Sequence, residues 1–272
     1  MSDFIDQLGD WSQIKHEILD KYAYAYTTIV TRQAAIKRVL YLDAYAGSGF
    51  GIDRETGAQL RGSALRALAV MPPFHELHFV EEDDAKASIL EQAVTAEVRA
   101  KVHRGDGVST LSIELLPRCK WEDYHRALCL LDPYDLSVPF TLVQDIGRMR
   151  SVEIFYNFMI MDANRNVLWR RPDLVPQDRL AKMDLVWGDR SWQDVLYAVE
   201  PDLFGGTLRK VPNEEVAEAF RKRLRDAAGF KYVPAPIAMK NSVGATIYYV
   251  FFATHNETGA KIVDQIFTKY RR

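Results

Sequence analysis

Acidic residues and glycines recur in this sequence where short apolar runs end, a pattern suited to holding a charged, nucleotide-like ligand. The clearest case is residues 38–44, a predicted buried strand, which leads into a turn containing Gly47 and Gly49. Glycine lets the backbone approach a ligand closely, and nucleotide-like ligands bind where the first strand of an open α/β sheet ends. We predict that this turn, with Tyr45, holds the methionine part of S-adenosylmethionine (SAM). Asp43 is expected to accept a hydrogen bond from the ammonium group of SAM, directly or through water.

Carboxylates also follow the next three predicted strands. Glu81 and Glu82 come after the second strand, where a carboxylate can accept hydrogen bonds from both ribose hydroxyls. Asp106, followed by Gly107, comes after the third strand and can accept from the adenine amino group, and Asp132 ends the fourth strand, facing the methyl group. Each acid alone has a structural alternative as a helix-starting or turn residue. Their order at successive strand ends predicts one shared SAM site.

Three further residues are candidates near the ligand. Lys15, in the first turn of a predicted helix, either lies over the pocket and pairs with a carboxylate or belongs to a solvated helix face. Asn157 either faces the acceptor pocket or is a buried amide bonded to neighbouring backbone. Arg165 begins a cluster of arginines and tryptophans at 165–192. This cluster either contacts a nucleic-acid backbone as a substrate-binding surface or forms a solvated helical lid with its own small core.

The spacing of apolar residues predicts alternating strands and helices around these candidates. Predicted strands cover 38–44, 76–80, 100–103, 127–131, 152–159, 232–239 and 246–253, and predicted helices cover 12–31, 63–70, 84–96, 107–117, 140–148, 213–227 and 257–270. Five alternations of strand and helix indicate an α/β fold with a doubly wound, mainly parallel sheet. The last two strands are predicted to form an antiparallel pair at its edge. Ser12 and Ser63 are the predicted helix caps, and residues 53–57 a turn or small hairpin.

The alternation breaks after the fifth predicted strand. Residues 161–229 are predicted to form a helical insertion, with short helices up to about residue 209 and then a charged amphipathic helix. We interpret the chain, 1–272, as a single domain in which this insertion is a candidate lid over a substrate or partner.

Composition excludes several other classes of protein. No apolar run approaches the length of a membrane span, and residues 1–11 lack the pattern of a signal peptide. Cys119 and Cys129 are expected to be reduced thiols of a cytoplasmic protein, and no metal site is expected because His75 and His78 form no ligand cluster. The net charge of −2 and the pI of about 6.3 argue against general duplex-DNA binding but leave room for a local basic groove.

The motifs together resemble class I SAM-dependent methyltransferases, and more narrowly the bacterial and archaeal three-Cys-motif partner proteins. The resemblance covers about 12–160 and 230–270, and it rests on the motifs at 15–19, 41–49, 62–63, 79–83, 105–107, 130–134, 157–158 and 249–254. It implies a seven-stranded sheet whose last strand is antiparallel, a Rossmann-like SAM site, and association with a cysteine-motif protein.

The segment Asp132-Pro133-Tyr134 is similar to the Asp-Pro-Pro-Tyr loop of methyltransferases that act on amino groups of adenine or cytosine. That similarity implies that Asp132 and a carbonyl fixed by Pro133 hold the target amine, while Tyr134 stacks on a flipped base of a nucleic-acid substrate. This chain has one proline rather than two, so Tyr134 comes one position early. Another nitrogen or oxygen acceptor stays open, as does a non-catalytic SAM-binding module that docks a cysteine-motif protein.

Two other nucleotide-binding classes fit the sequence poorly. The glycine spacing departs from Gly-x-Gly-x-x-Gly, since Gly51 follows Gly49 by two positions, and Glu81 is too far along the chain for a dinucleotide-binding acid. The Gly-Lys-Ser/Thr of a P-loop is absent.

Overall fold

The computed structural model describes residues 6–54, 56–200 and 206–271. The strands within these ranges are β1 (Asp6–Leu8), β2 (Arg38–Asp43), β3 (Phe50–Asp53), β4 (Gln59–Arg61), β5 (Glu76–Glu81), β6 (Ala100–Arg104), β7 (His125–Leu131), β8 (Val152–Phe158), β9 (Tyr197–Glu200), β10 (Thr207–Lys210), β11 (Ile237–Lys240) and β12 (Thr246–Ala253). The α-helices are α1 (Asp10–Val30), α2 (Ser63–Leu68), α3 (Asp84–Val94), α4 (Gly107–Thr110), α5 (Phe140–Met149), α6 (Ile160–Asn166), α7 (Gln177–Trp187), α8 (Trp192–Leu196), α9 (Asn213–Asp226) and α10 (Glu257–Tyr270).

Seven of the strands form the central sheet, in the order β11-β12-β8-β7-β2-β5-β6. The five strands from β8 to β6 are mutually parallel, and β12 is antiparallel to both of its neighbours. The predicted fold class, a doubly wound, mainly parallel seven-stranded sheet, is therefore confirmed. The chain's last strand is also the antiparallel one, as expected.

Helices cover both faces of this sheet, which explains why its central strands are apolar along their whole length. One face packs against α1, α2, α3 and α10, and the other against the helices from α5 to α9. All seven residues of β8 are buried. A ring cluster around Phe220 of α9, including Phe158 and Phe251, joins that helix to the sheet. Helix α9 therefore packs directly on the central sheet, as the helices between the parallel strands do.

Both predicted serine caps are wrong. Helix α1 begins at Asp10 with Gly9 at the cap, and α2 begins at Ser63 with Gly62 at the cap, neither with a side-chain cap bond. The Ser63 hydroxyl instead donates to the carboxylate of Asp43 at 2.6 Å. A hydroxyl committed to that buried acceptor contributes nothing to capping its helix.

Several irregular elements also depart from prediction. The helix predicted at 107–117 is a short α4 continued by a π-helical turn at Leu111–Leu115 and a 3₁₀ turn at Leu116–Arg118. Strand β11 covers only the end of the run predicted at 232–239. The segment predicted as short helices includes an antiparallel β9–β10 hairpin.

A second small sheet has the order β1-β3-β4. Strands β3 and β4 form the hairpin anticipated around residues 53–57, and β1 adds to β3 in parallel.

Cys119 and Cys129 are buried, free thiols. Within the described ranges no helix combines the length and apolar character that crossing a membrane requires. The same residues include no group of three or more histidine, cysteine, aspartate or glutamate side chains placed to hold a metal ion.

Candidate functional site

A cavity of about 210 Å³ opens where β2, β7 and β8 end and α1 begins. Carboxyl ends of parallel strands are where open α/β sheets bind ligands. The wall of the cavity is formed by Trp11, Ser12, Lys15, His16, Tyr45, Ala46, Gly47, Gly49, Phe50, Gly62, Ser63, Asp132, Pro133, Tyr134, Met159, Ile247 and Tyr248.

The turn after β2 has the backbone conformation that its glycines were expected to provide. Gly47 has φ of 62° and Gly49 has φ of 79°, values that residues with a side chain rarely adopt. A Cβ at Gly49 would lie 2.7 Å from the end of the Leu90 side chain, which would have to shift to make room for it. The Gly47 N–H donates to Oε2 of Glu81 at 2.8 Å, which joins the loops after β2 and β5.

The loop after β6 packs against the same region. A Cβ at Gly107 would lie 2.1 Å from the Ala44 carbonyl oxygen, so only glycine allows α4 to approach the end of β2 this closely. Asp106 caps α4 by accepting from the Ser109 N–H at 2.7 Å. The hydrogen bonds with Ser109 lower the pKa of Asp106. Asp106 therefore has the structural role named as its alternative.

Asp43 lies behind the cavity rather than on its wall. Its side chain is fully buried and accepts hydrogen bonds from the Ser63 hydroxyl and from the Tyr45 N–H at 3.2 Å. Burial raises the pKa of Asp43 to about 6, although these two hydrogen bonds act in the opposite direction. The carboxylate thus fixes the start of the turn and of α2.

Lys15, Asp132 and Asn157 form a connected group, which we call the Lys15 triad. Lys15 Nζ donates to Oδ2 of Asp132, and Asn157 Nδ2 donates to Oδ1 of the same carboxylate. The Lys15 and Asp132 side chains are 10% and 24% exposed, so solvent screens this ion pair only partly. Burial alone would lower the pKa of Lys15, but the field of Asp132, the hydrogen bond to it and the fields of Tyr248 and Asp43 together more than offset this effect, so the pKa is raised and Lys15 stays protonated.

The sequence left open whether Lys15 and Asn157 belonged to the site, and the structure shows their contacts. Lys15 lines the cavity and pairs with a carboxylate, as its functional interpretation required. Asn157 is buried, but its amide bonds a side chain rather than backbone. Two buried polar atoms, Asn157 Oδ1 and the Tyr248 hydroxyl, have no hydrogen-bond partner among the described residues. The Tyr248 ring lies 6.0 Å from Lys15 Nζ and is part of the cavity wall.

The segment Asp132-Pro133-Tyr134 forms one side of the cavity mouth. The Tyr134 side chain is 66% exposed, unusually so for an aromatic residue. Lys86 Nζ lies 5.2 Å from the Tyr134 ring and 3.3 Å from its hydroxyl. An exposed ring beside a cation is suited to contacting a planar, negatively charged ligand.

The predicted site residues therefore fall into three groups. The cavity wall contains Lys15, Tyr45, Gly47, Gly49, Asp132, Pro133 and Tyr134. The residues that contact this wall or its supporting backbone are Asp43, Glu81, Gly107 and Asn157, and Asp106 caps the helix that begins at Gly107. Glu82 and Arg165 are exposed and do not line the cavity.

Sequence reasoning missed several wall residues, including Trp11, Met159, Ile247 and Tyr248. Residues 247 and 248 belong to β12, which lies beside β8 in the sheet although it is about 90 positions away in the chain. Nothing local to Tyr248 distinguishes it from other core aromatics. The resemblance that predicted an antiparallel last strand was the one signal that could have placed it here.

Three larger concavities lie elsewhere among the described residues. One of about 980 Å³ is within the insertion and is lined by Arg170, Arg171 and Leu208 among others. A second, of about 1,140 Å³, lies near the amino ends of β7 and β8, and a third, of about 460 Å³, lies between the end of α7 and α9. Volume alone would favour these three, but the smaller cavity holds the buried ion pair and the glycine turn, so it is the candidate active site.

Comparisons with known proteins bear on the fold. No model of a known protein family matches the chain, and no curated protein matches it. A crystal structure of a DUF519-family protein from Legionella pneumophila is similar over 97% of this chain and 93% of its own, with 14% identity and a TM-score of 0.57. The two chains share a fold, and the seven-stranded, mainly parallel sheet of this chain is Rossmann-like.

Weaker similarities extend to other solved structures. The DszA carbon methyltransferase is 13% identical, with 89% of this chain and 54% of that chain covered and a TM-score of 0.47. The methyltransferase domain of a bacterial Hen1 is 9% identical, with 87% and 99% covered and a TM-score of 0.39. Similarities this weak carry no activity over to this chain, so its activity has to be argued from the site.

Proposed function

We propose that this protein is a SAM-dependent methyltransferase whose acceptor is an amino group of a nucleic-acid base, adenine or cytosine. The observation that carries the proposal is the meeting of the glycine turn and the Lys15 triad in one cavity at the carboxyl ends of β2, β7 and β8. Open α/β sheets bind ligands at this edge, and this supports the proposal.

The residues present fit the cofactor. A glycine turn lines the cavity, acids follow β2, β5 and β6, and the buried Tyr248 hydroxyl on the wall has no partner among the described residues. The cavity, at about 210 Å³, is below the roughly 300–1,000 Å³ typical of small-molecule pockets. We therefore assign the methionine part to the cavity, with Glu81 on the ribose hydroxyls and Asp106 on the adenine amino group in the open region beside it.

When bound, SAM supplies an electrophilic methyl group on a sulfonium. The role of Asp132 is to accept hydrogen bonds from the acceptor amine through the lone pairs that Lys15 and Asn157 leave free. This contact would orient the nitrogen lone pair of the acceptor toward the methyl group that the bound cofactor would supply. The methylated amine then loses one proton to water.

Lys15 defines how Asp132 takes part. The protonated Lys15 donates a hydrogen bond to Oδ2 of Asp132 and holds the carboxylate in place, so the role that we assign to Asp132 is to position the amine rather than to deprotonate it. Tyr134, exposed at the mouth, supplies a ring on which the target base stacks, and Lys86 beside it is placed to meet a phosphate. The insertion, with Arg165, is a candidate lid over the remainder of the substrate.

The test is transfer of labelled methyl from SAM to total RNA, DNA and protein, with Asp132→Ala compared with Asp135→Ala. Asp135 is three positions further on and makes a surface ion pair with Lys182, so it serves as the matched control. We expect transfer to a polynucleotide that Asp132→Ala abolishes and Asp135→Ala retains.

Tight binding of SAM or S-adenosylhomocysteine with no acceptor in any fraction would contradict catalysis. That result would support the other role implied by the resemblance, a SAM-binding module that docks a cysteine-motif partner protein. Failure to bind either compound at millimolar concentration would refute both.

A further inference from the structure

A basic groove lies at the amino ends of the central strands, whereas the candidate active site lies at their carboxyl ends. Its walls come from the segment before β7, the α5–β8 connection and the segment after α9, and its volume is about 1,140 Å³. The residues lining it include Trp121, Glu122, Arg148, Arg150, Arg225, Lys231 and His255. We call this the amino-end groove, because it lies where β7 and β8 begin. Asp132, in the candidate active site, follows the carboxyl end of β7.

The groove has a surplus of positive charge in a chain whose net charge is −2. Two of its cations have carboxylate partners, Arg148 with Asp145 and Arg225 with Asp226, in exposed pairs that solvent screens. Arg150 and Lys231 have no carboxylate within ion-pair distance in the part of the chain that the structure describes. Both lie close enough to His255 to lower its pKa, in addition to the larger effect of burial. Glu122 also lines the groove and Glu257 interacts with Lys231, but four cationic side chains on the wall outnumber its one acidic side chain.

Backbone strain is concentrated at the same end of the sheet. Among the described residues, Arg150 at φ 60° and Tyr124 at φ 61° are the two non-glycine residues with positive φ. Arg150 ends α5 in the left-handed conformation, a position where glycine is usual. An arginine held there at a cost in free energy places a cation between α5 and β8, and such outliers cluster at functional sites.

Two exposed aromatic rings lie in the segment before β7, and one of them, Trp121, lines the groove. Trp121 is 48% exposed and Tyr124 is 47% exposed, in the loop that leads into β7. The Arg126 guanidinium lies 3.5 Å from the Trp121 ring centroid, and Lys37 Nζ lies 5.4 Å from that of Tyr124. A groove with cationic side chains alone could bind any polyanion. Exposed rings among cations favour single-stranded nucleic acid, whose bases stack while its phosphates are neutralised.

We propose that the amino-end groove binds single-stranded nucleic acid, with Arg148, Arg150, Arg225 and Lys231 contacting phosphates and Trp121 stacking on a base. The site is distinct from the cavity at Asp132: the seven residues of β7 separate the two by about 20 Å. Binding there requires neither SAM nor methyl transfer, so the proposal goes beyond the proposed function.

The experiment is fluorescence anisotropy of a labelled single-stranded 12-mer, as RNA and as DNA, titrated with the full chain at several salt concentrations without SAM. Four phosphate contacts predict a slope of log K against log salt of about −3. The double variant Arg150→Gln/Lys231→Gln should reduce it to about −1.5. Trp121→Ala should weaken binding at least about fivefold.

The control is Lys101→Gln/Lys269→Gln, which removes two exposed lysines without ion-pair partners elsewhere on the described surface. It should leave the slope near −3, and all variants should unfold at the wild-type temperature. The groove variants should bind S-adenosylhomocysteine like the wild type, because none of their residues lines the cavity at Asp132, and this separates the proposal from the methyl-transfer one.

Three results would overturn the proposal. They are equal binding by the groove and control variants, loss of S-adenosylhomocysteine binding by the groove variants together with loss of the oligonucleotide, and competition by polyglutamate as strong as that by unlabelled oligonucleotide. The last result would assign the groove to an acidic protein partner.

Discussion

Replacing Lys15 by methionine should destabilise the fold, because it leaves the Asp132 carboxylate in a mostly buried position without its counter-ion. At an ordinary ion-pair separation of about 3 Å and an effective dielectric of about 20, the attraction is roughly 5 kcal/mol. Desolvation offsets part of this, and the 24% exposure of Asp132 adds some screening. We therefore expect a loss of about 2–4 kcal/mol in the free energy of unfolding.

The assay is guanidinium unfolding of the wild type, Lys15→Met, Asp132→Asn and the double variant. Because the two side chains bond directly, the double variant should lose about 2 kcal/mol less than the sum of the single variants. Lys21→Met is the matched control: it lies on the same helix and pairs with Glu17 at 3.5 Å, but both side chains are about half exposed. It should change the stability by no more than about 0.5 kcal/mol.

The reasoning is refuted if Lys15→Met is as mild as Lys21→Met, or if the effects of Lys15→Met and Asp132→Asn simply add. Either result would mean that the pair contributes nothing to holding Asp132 in place, and the positioning role assigned to Asp132 would lose its basis.

Other parts of the structure give further expectations. Burial raises the pKa of Glu153 from 4.5 to about 7, so its contribution to stability is complete below pH 4.5 and is lost as the pH rises through 7, by about 3 kcal/mol. Glu153→Gln should therefore flatten this part of the pH profile in thermal or denaturant unfolding, and an unchanged slope would contradict the assignment. Gly107→Ala should cost at least about 1–3 kcal/mol in denaturant unfolding, because its Cβ would lie 2.1 Å from the Ala44 carbonyl oxygen. Glu81→Gln should weaken S-adenosylhomocysteine binding by about 1–3 kcal/mol in calorimetry, and equal weakening by Glu218→Gln would count against the ribose role.

The order of strands and helices could be predicted from the sequence because each is encoded by local periodicity. Apolar runs such as the one in β7 are long enough for a buried strand, and turn residues separate them from amphipathic helices. Placement of the acids followed from the same logic, since parallel strands bring their carboxyl ends to one edge. The predicted caps at Ser12 and Ser63 were wrong because a serine hydroxyl has several possible hydrogen-bond partners. The Ser63 hydroxyl donates to Asp43, which lies 20 positions away in the chain.

The sequence by itself determined the α/β class, the doubly wound sheet, and which loops carry acids and glycines, because these depend on residues close together in the chain. Tertiary structure alone decided that Lys15 and Asn157 would hold the two oxygens of Asp132, since these contacts span 117 and 25 positions. It also decided that Tyr248 would close the cavity wall, and that Arg150 and Lys231 would share a groove. Such pairings depend on how packed helices and strands bring distant side chains together, and no local pattern records that.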